Sequence, residues 1–281
     1  MKAALLQLNV SDDPAQNLVQ TLAYLNDAVA TGAQFVLTPE VTNCVSTSRS
    51  HQQDVLQYQD QDQTLAALRN AAKEHGVWVL IGSLALKTDD ADGRFANRSF
   101  LIDPQGQIVA HYDKIHMFNV QISDTETFQE SAGYRAGTRA VVVKTDFATL
   151  GMAVCYDMRF PLLSNAMAQA GAQILTYPAA FSPVTGAAHW HSLLRARAIE
   201  TGCYVIAPAQ TGLHASSGTS SRSTYGHSLV VAPWGEVILD AGADAGVYAF
   251  EIDMQNVADA RRKVPALHNA QPFEAPKKIG A

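Results

Sequence analysis

The sequence predicts an α/β fold, specifically a four-layer α-β-β-α sandwich of two pseudo-symmetric halves, and two observations predict it. A helical pattern followed by a glycine and then by a buried strand occurs four times along the chain. Two segments with the pattern of a β-hairpin follow the second and the fourth of these units. Because a glycine supplies the left-handed cap from which a chain leaves a helix and re-enters a sheet, this repeated order indicates helices layered on sheets.

The first half begins with the apolar segment MKAALLQLNV, which predicts a first strand. Apolar residues then recur every three or four positions from Leu18 to Val29, which predicts a helix that ends at Gly32 and is followed by the strand FVLTP. A second helical pattern ends at Gly76 and precedes the strand VWVLIGSLAL. The segment FLIDPQGQIVA at 100–110 has the apolar, Pro-x-Gly, apolar order that predicts a hairpin.

The second half begins with the apolar run LGMAV, which predicts a strand that stops at Cys155. Helical patterns that end at Gly171 and Gly202 precede the strands QILTYP and CYVIAP, and LVVAPWGEVIL at 229–239 predicts a second hairpin. The segments GAQFVLTPE, from Gly32, and GAQILTYPA, from Gly171, lie 171 − 32 = 139 residues apart. Later pairs have other offsets, so the repeat indicates shared topology rather than a clean duplication, and chance resemblance of helix-strand units is the alternative.

The composition indicates a globular chain with a large buried core. Of the 281 residues, 47% are hydrophobic and 16% are charged, which suits one large α/β domain or two small ones. We expect a single domain over 1–281, because the serine-rich stretch ASSGTSSRS at 215–223 lies inside the second half and is better explained as a loop near a site than as a linker. The net charge of -6 and the absence of a Lys/Arg cluster argue against nucleic acid or an anionic membrane as a partner.

Cysteine usage and hydropathy predict a cytoplasmic protein. The three cysteines, Cys44, Cys155 and Cys203, are too few and too far apart for a disulfide scaffold or a CxxC zinc site, which fits a reducing compartment. The N-terminal segment has one lysine and soon turns polar, so we expect a strand there and not a signal peptide. No run approaches the ~18 apolar residues that a membrane span requires.

Three side chains at predicted strand ends suggest nucleophilic chemistry. Cys155 ends a buried strand, Lys114 follows the first hairpin, and Glu40 follows FVLTP at the position where the second half has Ala179. Sheets of α/β proteins place ligand-binding residues at this carboxyl edge. A thiol is a weak nucleophile at its ordinary pKa, so an enzyme that uses one needs a base to remove the proton and a cation to stabilise negative charge. Glu40 and Lys114 provide these two groups.

Structural explanations exist for the same residues. A buried cysteine often serves as a small hydrophobic group, and an isolated lysine or glutamate is usually a solvated surface residue. Histidine is the more usual partner of a catalytic cysteine, and spacing alone leaves His116 and His189 open for that role. A redox-sensing thiol would need a resolving cysteine, and the sequence places neither Cys44 nor Cys203 beside Cys155.

Three motifs carry a resemblance to a known family. FVLTPE, YDKIHMFNV and LGMAVCYDMRFP resemble the glutamate, lysine and cysteine motifs of the nitrilase superfamily of carbon-nitrogen hydrolases. The resemblance covers almost the whole chain and extends to TFQES at 127–131, to YGHSLVVAPWGEV and to the C-terminal RRKVPALHNAQP. Because all three motif residues are present in the expected order, a catalytically silent binding module on the same fold is disfavoured.

The resemblance implies a mechanism for the site. Glu40 would be the general base, Cys155 the nucleophile and Lys114 the group that stabilises the oxyanion, while Glu130 would orient Lys114 and the incoming amide. These groups account for amide hydrolysis through a thioester, so the resemblance implies no metal and no organic cofactor.

The resemblance also indicates a substrate class and a partner. The string CYDMRFP and the segment TGAAHWHSLLRARAIETGCYV are most similar to the amidase branch that contains deaminated glutathione amidase and omega-amidase. We therefore expect a small 2-oxo acid amide, most simply deaminated glutathione, with 2-oxoglutaramate, a nitrile or a carbamoyl compound as alternatives. The family further implies a homodimer with the helix around Arg195 and Arg197 and the tail near Pro265 at its interface.

Four residues are predicted to bind this substrate. Arg159, four residues after the nucleophile, would hold the substrate carboxylate, and Tyr156, Phe181 and Thr185 would line the pocket. An ion pair at the surface or between subunits is the alternative role for Arg159.

Two positions depart from the pattern of the branch, and one of them bears on metal binding. Asn119 stands where aspartate is frequent, and His191 stands where glutamate is common. His189 and His191 are two residues apart and face different sides of a helix, whereas a helical zinc pair has a four-residue spacing. The sequence therefore predicts no metal site.

Overall fold

The structure, a computed structural model, describes residues 1–122, 127–218 and 222–278. The strands in chain order are β1 (Lys2–Gln7), β2 (Phe35–Leu37), β3 (Trp78–Leu86), β4 (Ala96–Ile102), β5 (Ile108–Asp113), β6 (Asn119–Gln121), β7 (Thr127–Gln129), β8 (Val141–Lys144), β9 (Thr149–Met152), β10 (Ile174–Thr176), β11 (Tyr204–Ala207), β12 (Thr211–His214), β13 (Arg222–Tyr225), β14 (Leu229–Val231), β15 (Val237–Asp240) and β16 (Gly246–Glu251). The helices are α1 (Pro14–Ala30), α2 (Arg49–Val55), α3 (Gln63–His75), α4 (Glu130–Gly133), α5 (Pro161–Gln169), α6 (Pro183–Thr201), α7 (Gln255–Lys263) and α8 (Ala266–Asn269), together with a 3₁₀ helix at Cys155–Arg159.

Within the described residues, two sheets of six strands share one plan. The first has the order β16-β1-β2-β3-β4-β5 and the second has the order β8-β9-β10-β11-β14-β15. The second, third and fourth strands of each order are parallel, and the outer strands join them antiparallel. The predicted similarity of the halves is thus confirmed as topology, with β2 matching β10 and the hairpin β4-β5 matching β14-β15.

The halves are interleaved in one respect that the sequence pattern did not indicate. Strand β16, from the C-terminal part of the chain, pairs with β1 along its whole length, from Lys2 opposite Glu251 to Gln7 opposite Gly246. Pairing satisfies the backbone groups that β1 would otherwise present at a sheet edge. The first sheet is therefore complete only when the C-terminal part has folded.

The strands carry alternating residues into two cores. Leu5, Leu37 and Leu80 point between the sheets and join the core that also contains the second sheet, whereas Leu6 and Val36 point to the opposite face, where they pack with α1 and α3. Because side chains alternate along a strand, one sheet can bury both faces. Helices α5 and α6 cover the outer face of the second sheet, which completes the predicted four layers.

Two of the four predicted helix ends coincide with their glycines, whereas α1 and α5 end two residues before Gly32 and Gly171, with Thr31 and Ala170 as their caps. Helices α3 and α6 end at Gly76 and Gly202, whose backbones are left-handed with φ of 65° and 60°. The N-terminus of α1 is capped by Asp13, whose side chain accepts from the N–H groups of Ala15 and Gln16. These contacts satisfy backbone groups that a helix end leaves unpaired.

The buried face of α1 differs from the predicted one. Leu18 and Leu22 are half-buried, while Asn17 is buried one position earlier. The Asn17 side chain donates to the Ser11 and Asn43 carbonyls at 2.8 and 2.9 Å, and it thereby fixes the two loops that flank the helix. A buried amide whose polar atoms are paired can lie on the buried face of a helix, and an apolar periodicity does not detect it.

Two further expectations are affected by the fold. Arg197 was expected at a subunit interface, but it is buried and its Nε donates to the Met158 carbonyl at 2.7 Å, so it stabilises the 3₁₀ helix within the chain. Arg195 remains exposed.

Among the helices of the described residues, none combines the length and the apolar character that a membrane span requires.

Candidate active site

The thiol of Cys155 lies at a sharp turn between the second sheet and a short helix. Strand β9 ends three residues before it, and Cys155 is the first residue of the 3₁₀ helix. Its φ is 50°, a left-handed conformation that is uncommon for a residue other than glycine, and its N–H donates to the Pro178 carbonyl at 2.9 Å. Such strain in a well-anchored backbone is a frequent feature of functional sites. The turn aims the residue out of the strand while keeping it buried.

Lys114 is buried between two carboxylates. Its Nζ donates to Glu40 Oε1 at 2.8 Å and to Glu130 Oε2 and Oε1 at 2.8 and 2.9 Å. Glu40 follows β2, Lys114 follows β5, and Glu130 begins α4, so three separate segments supply the cluster. The structure thus brings together the residues that the sequence placed at separate strand ends.

Backbone groups hold both carboxylates in place. Glu40 Oε2 accepts from the Ala180 N–H at 2.8 Å, and Glu130 Oε2 accepts from the Phe118 N–H at 2.6 Å. A carboxylate paired in this way loses little freedom when substrate binds, which is the condition for precise proton transfer.

Burial and charge together set the protonation states. Burial alone would raise the pKa of Glu40, but the Lys114 ammonium outweighs it and holds that pKa below its usual value. Burial would lower the pKa of Lys114, yet Glu130 and Glu40 raise it well above the ordinary value. Burial and the negative charge of the nearby Glu40 carboxylate raise the pKa of Cys155 well above that of a free thiol. At neutral pH the thiol therefore keeps its proton next to a charged base.

Asn97 is a member of the cluster that the sequence did not indicate. Its Nδ2 donates to Glu40 Oε1 at 2.8 Å and to Glu130 Oε1 at 3.2 Å, so it links the two carboxylates. Its Oδ1 is buried and has no hydrogen-bond partner among the described residues. A buried acceptor without a partner is costly, and this one lies in the lining of the cavity described below.

Asp157 is a second residue that the sequence did not single out. Its fully buried carboxylate accepts from the Val154 N–H at 2.9 Å and the Tyr112 hydroxyl at 2.7 Å. The other oxygen accepts from the backbone N–H of His116 at 3.0 Å and contacts His116 Nδ1 at 2.7 Å. Asp157 thus connects the turn that carries Cys155 to the segment on both sides of Lys114.

The histidines considered as partners of the thiol are engaged elsewhere. His116 pairs with Asp157 and stacks on Phe160 with ring centroids 3.5 Å apart. His189 Nδ1 lies 3.2 Å from the guanidinium of Arg159. Among the contacts of the described residues, neither ring reaches Cys155, so Glu40 is the basic group next to the thiol.

A cavity of about 700 Å³ opens onto the cluster. Phe181, predicted to line the pocket, belongs to its lining, whereas Tyr156, Thr185 and Arg159 lie outside it. The Arg159 guanidinium lies 5.4 Å from the centroid of the Phe181 ring and 5.8 Å from that of Tyr156, so it borders the wall of the cavity. Substrate binding by these four residues stays a prediction.

Arg222 is a cation in the cavity lining that the sequence did not single out. Its Nη2 donates to the Ala180 carbonyl at 2.6 Å, and its guanidinium lies 5.9 Å from the Phe128 ring centroid. No described carboxylate forms an ion pair with Arg222 or with Arg159. Positions 219–221 of the serine-rich stretch fall outside the described residues, but Arg222 and Ser223 at its end do line the cavity, as expected of a loop near the site.

Cys44 lies in the same lining, which bears on the redox alternative. Burial raises the pKa of its thiol to about 12. A thiol with so high a pKa is almost entirely protonated at neutral pH and reacts slowly. Cys203 is also buried, and its sulfur accepts from Arg261 at 3.1 Å. Neither environment favours a resolving thiol.

The arrangement joins a thiol, an adjacent ionised carboxylate and a buried ammonium, which is the set of groups that acyl transfer needs. Comparison with known proteins agrees with this. Residues 2–262 match the model of the carbon-nitrogen hydrolase family. The chain belongs to the carbon-nitrogen hydrolase family. Its members cleave carbon-nitrogen bonds, so the chain is a hydrolase of this class, as the resemblance implied.

Individual members of the carbon-nitrogen hydrolase family are similar over nearly the whole chain. A deaminated glutathione amidase of Yersinia enterocolitica is 37% identical over 268 residues, which cover 95% of this chain and 92% of that protein. The solved NitFhit protein of C. elegans superposes with a TM-score of 0.87 at 33% identity; the match covers 96% of this chain, which spans 65% of NitFhit. A mutant amidase from Nesterenkonia sp., with acrylamide added to its active site cysteine, is 25% identical with a TM-score of 0.76, covering 94% of this chain and 98% of that one. These likenesses confirm the predicted nitrilase-like sandwich.

Proposed function

We propose that the protein is a cysteine-dependent amidase whose substrate is deaminated glutathione, the amide of 2-oxoglutarate with cysteinylglycine. The observation that carries the proposal is the buried cluster in which the Glu40 carboxylate bonds to the Lys114 ammonium and lines the same cavity as Cys155. The substrate is suggested by the deaminated glutathione amidases among the relatives. The Nesterenkonia relative, with its active site cysteine modified by acrylamide, supports a nucleophilic role for Cys155.

The first half-reaction forms a thioester. Glu40 accepts the thiol proton as the Cys155 sulfur bonds to the amide carbonyl carbon, and the carbonyl oxygen becomes an oxyanion. The Lys114 ammonium stabilises that charge, together with the N–H of Tyr156 in the first turn of the 3₁₀ helix, where N–H groups lack an intrahelical partner. A single donor of this type is worth about 3 kcal/mol. The carbon-nitrogen bond then breaks, and the leaving amine takes the proton from Glu40.

The second half-reaction uses the same groups. Glu40 removes a proton from water as the water oxygen attacks the thioester carbon, and the sulfur leaves and recovers its proton from Glu40. Glu130 keeps Lys114 in position through both steps, since it supplies two of the ammonium's three carboxylate contacts. These residues account for every proton moved.

The substrate has two carboxylates, and two arginines that form no ion pair with a carboxylate of the described residues border or line the cavity. In the proposed complex Arg159 holds the carboxylate beside the 2-oxo group. Arg222 then holds the glycine carboxylate of the leaving cysteinylglycine. A guanidinium binds a carboxylate through two parallel hydrogen bonds, which a lysine cannot reproduce.

The substrate proposal is tested by two assays on a panel of deaminated glutathione, 2-oxoglutaramate, a simple nitrile and a carbamoyl amino acid. The release of 2-oxoglutarate, measured with a coupled dehydrogenase, reports the cleavage of deaminated glutathione and of 2-oxoglutaramate. The release of ammonia reports the cleavage of every panel member except deaminated glutathione, whose leaving group is cysteinylglycine. We expect the highest kcat/KM with deaminated glutathione. Higher kcat/KM with any other member would reject it as the substrate, and 2-oxoglutaramate would then make the protein an omega-amidase.

The two arginines are separated by comparing two substrates. Arg159→Lys should lower kcat/KM for deaminated glutathione and 2-oxoglutaramate alike by about tenfold or more, because both carry the 2-oxo acid. Arg222→Lys should lower it for deaminated glutathione alone, since 2-oxoglutaramate has no second carboxylate. Arg94→Lys, at an exposed ion pair with Asp92, is the matched control. If Arg222→Lys lowers kcat/KM equally for both substrates, Arg222 does not bind the glycine carboxylate.

The nucleophile is tested by intact-mass measurement. Glu40→Gln should slow the hydrolysis of the thioester, so that incubation with substrate yields a covalent adduct of the acyl group. Cys155→Ala should abolish both the adduct and turnover. Full amidase activity in Cys155→Ala would refute the mechanism.

The wider setting of this activity is also a proposal. A cytoplasmic location fits the three free, buried cysteines. We further propose that residues 1–281 form one carbon-nitrogen hydrolase domain and that it acts as a homodimer.

A further inference from the structure

Outside the cavity, three side chains from separate elements converge at one place on the surface. They are His191 in α6, His227 between β13 and β14, and Asp240 at the end of β15. His191 Nε2 lies 2.8 Å from Asp240 Oδ2, and His227 Nδ1 lies 2.9 Å from Oδ1 and 3.2 Å from Oδ2. One ligand atom from each residue can be chosen so that all three lie within 4.8 Å of one another.

The fold holds these groups rigidly. His227 has a left-handed backbone with φ of 54°, its carbonyl accepts from Trp190 Nε1 at 2.8 Å, and its ring stacks on Tyr225 with centroids 4.5 Å apart. Asp240 Oδ1 accepts from the Gly242 N–H at 2.9 Å. Contacts of this kind orient metal ligands and contribute strongly to affinity.

The chemistry of the three groups suits a transition-metal ion. We propose that His191, His227 and Asp240 form a binding site for a divalent cation, with zinc as its natural occupant. Two imidazole nitrogens and a carboxylate oxygen are common zinc ligands, and at bond lengths of about 2.1 Å their atoms would lie roughly 3.4 Å apart in a tetrahedron. The separations of 2.8 and 2.9 Å are slightly shorter, so side-chain shifts suffice. The side chains of His191, His227 and Asp240 are 37%, 29% and 32% exposed, which leaves a fourth position open to water.

Metal binding would replace the hydrogen bonds that now join the three side chains. Each imidazole must present a lone pair to the ion, so zinc would take the place of the proton between each ring nitrogen and Asp240. The main chain of His227 would keep its bond from Trp190 Nε1, whereas Asp240 Oδ1 would share the Gly242 N–H with the ion.

The site is linked to the wall of the active-site cavity. Trp190, which supports the His227 carbonyl, packs on Phe181 with ring centroids 5.0 Å apart. The N–H of Tyr225, on which His227 stacks, donates to the Phe181 carbonyl at 2.9 Å. An ion that ties α6 to β15 would therefore brace the segment that carries Phe181, and its main effect is expected on stability.

The test is a zinc titration of the full chain, prepared without a histidine tag and stripped of metal. The protein carries Cys155→Ala so that the Cys155 thiol does not compete for zinc. Binding is read by competition with a chromophoric chelator and by the melting temperature. We expect one zinc ion per chain and a rise in Tm. His191→Gln keeps a donor for Asp240 but lacks the imidazole, and it should weaken binding by about tenfold or more.

A second variant and a control complete the design. Asp240→Asn should weaken zinc binding similarly, while His75→Gln, at an exposed histidine bonded to Asn26, should leave it unchanged. Cobalt(II) should give the intense visible bands of a four-coordinate ion in the parent and not in His191→Gln. Equal zinc affinity in the parent and His191→Gln would mean an adventitious ion only, and would overturn the site.

Discussion

At the residue scale, the decisive feature is a thiol that stays protonated until substrate arrives. Many cysteine enzymes lower the pKa of the nucleophile, whereas here burial and Glu40 raise the pKa of Cys155. In the proposed mechanism Glu40, whose own pKa is held low by Lys114, accepts the proton. Proton transfer to Glu40 and attack by the sulfur are therefore coupled in that mechanism.

This charge pattern predicts the pH dependence of kcat/KM. The lowered pKa of Glu40 keeps the base ionised below the usual glutamate range, and the raised pKa of Lys114 keeps the ammonium charged above the usual lysine range. We therefore expect kcat/KM to be nearly constant from about pH 6 to about pH 9 and to fall in acid as Glu40 takes a proton. A pH-rate profile measured at constant ionic strength checks this. A sigmoid rise centred near pH 8 to 9, as for a freely ionising thiol, would contradict it.

Asp157 predicts a second effect at this scale. Asp157→Asn removes charge and acceptor capacity from a carboxylate that fixes Val154, Tyr112 and His116. The turn that carries Cys155 should shift relative to Lys114, and a misplacement of about 1 Å can cost roughly a hundredfold in rate. We expect kcat to fall far more than KM changes, together with slower alkylation of Cys155 by iodoacetamide.

The control for Asp157 is another aspartate with a local structural role. Asp103 accepts from the N–H groups of Gln105 and Gln107 in the β4-β5 turn, away from the cluster. Asp103→Asn should lower stability slightly and leave kcat unchanged. If both variants lose only stability, Asp157 has no positioning role.

At the scale of elements, glycines allow the segments that carry the cluster to lie close to neighbouring backbone. A Cβ on Gly82, in β3, would fall 2.1 Å from the Thr38 carbonyl oxygen and 2.5 Å from that of Pro39, immediately before Glu40. A Cβ on Gly137 would meet the Asp113 carbonyl at 2.1 Å, immediately before Lys114. Because backbone cannot give way as a flexible side chain can, both positions require glycine.

Gly82→Ala should therefore displace Glu40 through the Thr38 and Pro39 backbone, since the added methyl group meets these carbonyl oxygens and not Glu40 itself. We expect a loss of activity of roughly a hundredfold and a lower melting temperature, measured by steady-state kinetics and calorimetry. Gly246→Ala in β16 of the same sheet is the matched control, since its Cβ would meet nothing closer than 3.5 Å. If a folded Gly82→Ala variant has the wild-type kcat/KM, the predicted displacement of Glu40 does not impair activity and the prediction is wrong.

At the scale of the whole molecule, the pairing of β1 with β16 makes the two halves depend on each other. The second sheet carries Cys155, the first carries Glu40 and Lys114 at its strand ends, and the site exists only where the two sheets meet. This arrangement explains why similar halves can make a single asymmetric site. In the proposed mechanism the first half contributes the base and the ammonium, and the second half contributes the nucleophile.

The surface of the second half supports the proposed homodimer. Ile199 on α6 is 54% exposed, and Trp234 in the β14-β15 turn is 53% exposed. Apolar side chains of this size at a surface are candidates for burial between subunits. Light scattering coupled to gel filtration should give twice the mass of the chain, and Ile199→Glu should shift it toward the monomer. Val19→Glu, at an exposed position of α1, should not. A monomeric parent at assay concentration would exclude the dimer.

The sequence by itself predicted the layered fold, the glycine caps of two helices and, through the motifs of the family that it resembles, Glu40, Lys114, Cys155 and Glu130. Local rules suffice for these features, since apolar periodicity identifies each element and parallel strands present their carboxyl ends at one edge. The motifs around Glu40, Lys114 and Cys155 also lie within short contiguous segments, so they could be recognised one at a time.

Only the tertiary structure decided which distant groups meet. Asn97 and Asp157 connect segments far apart in the chain, β16 completes the first sheet from the C-terminal part, and His191 meets His227 rather than His189. Such contacts depend on register and on the packing of one element against another, and no local periodicity records them. The protonation states followed the same rule, because a pKa is set by burial and by charges that the fold brings within a few ångströms.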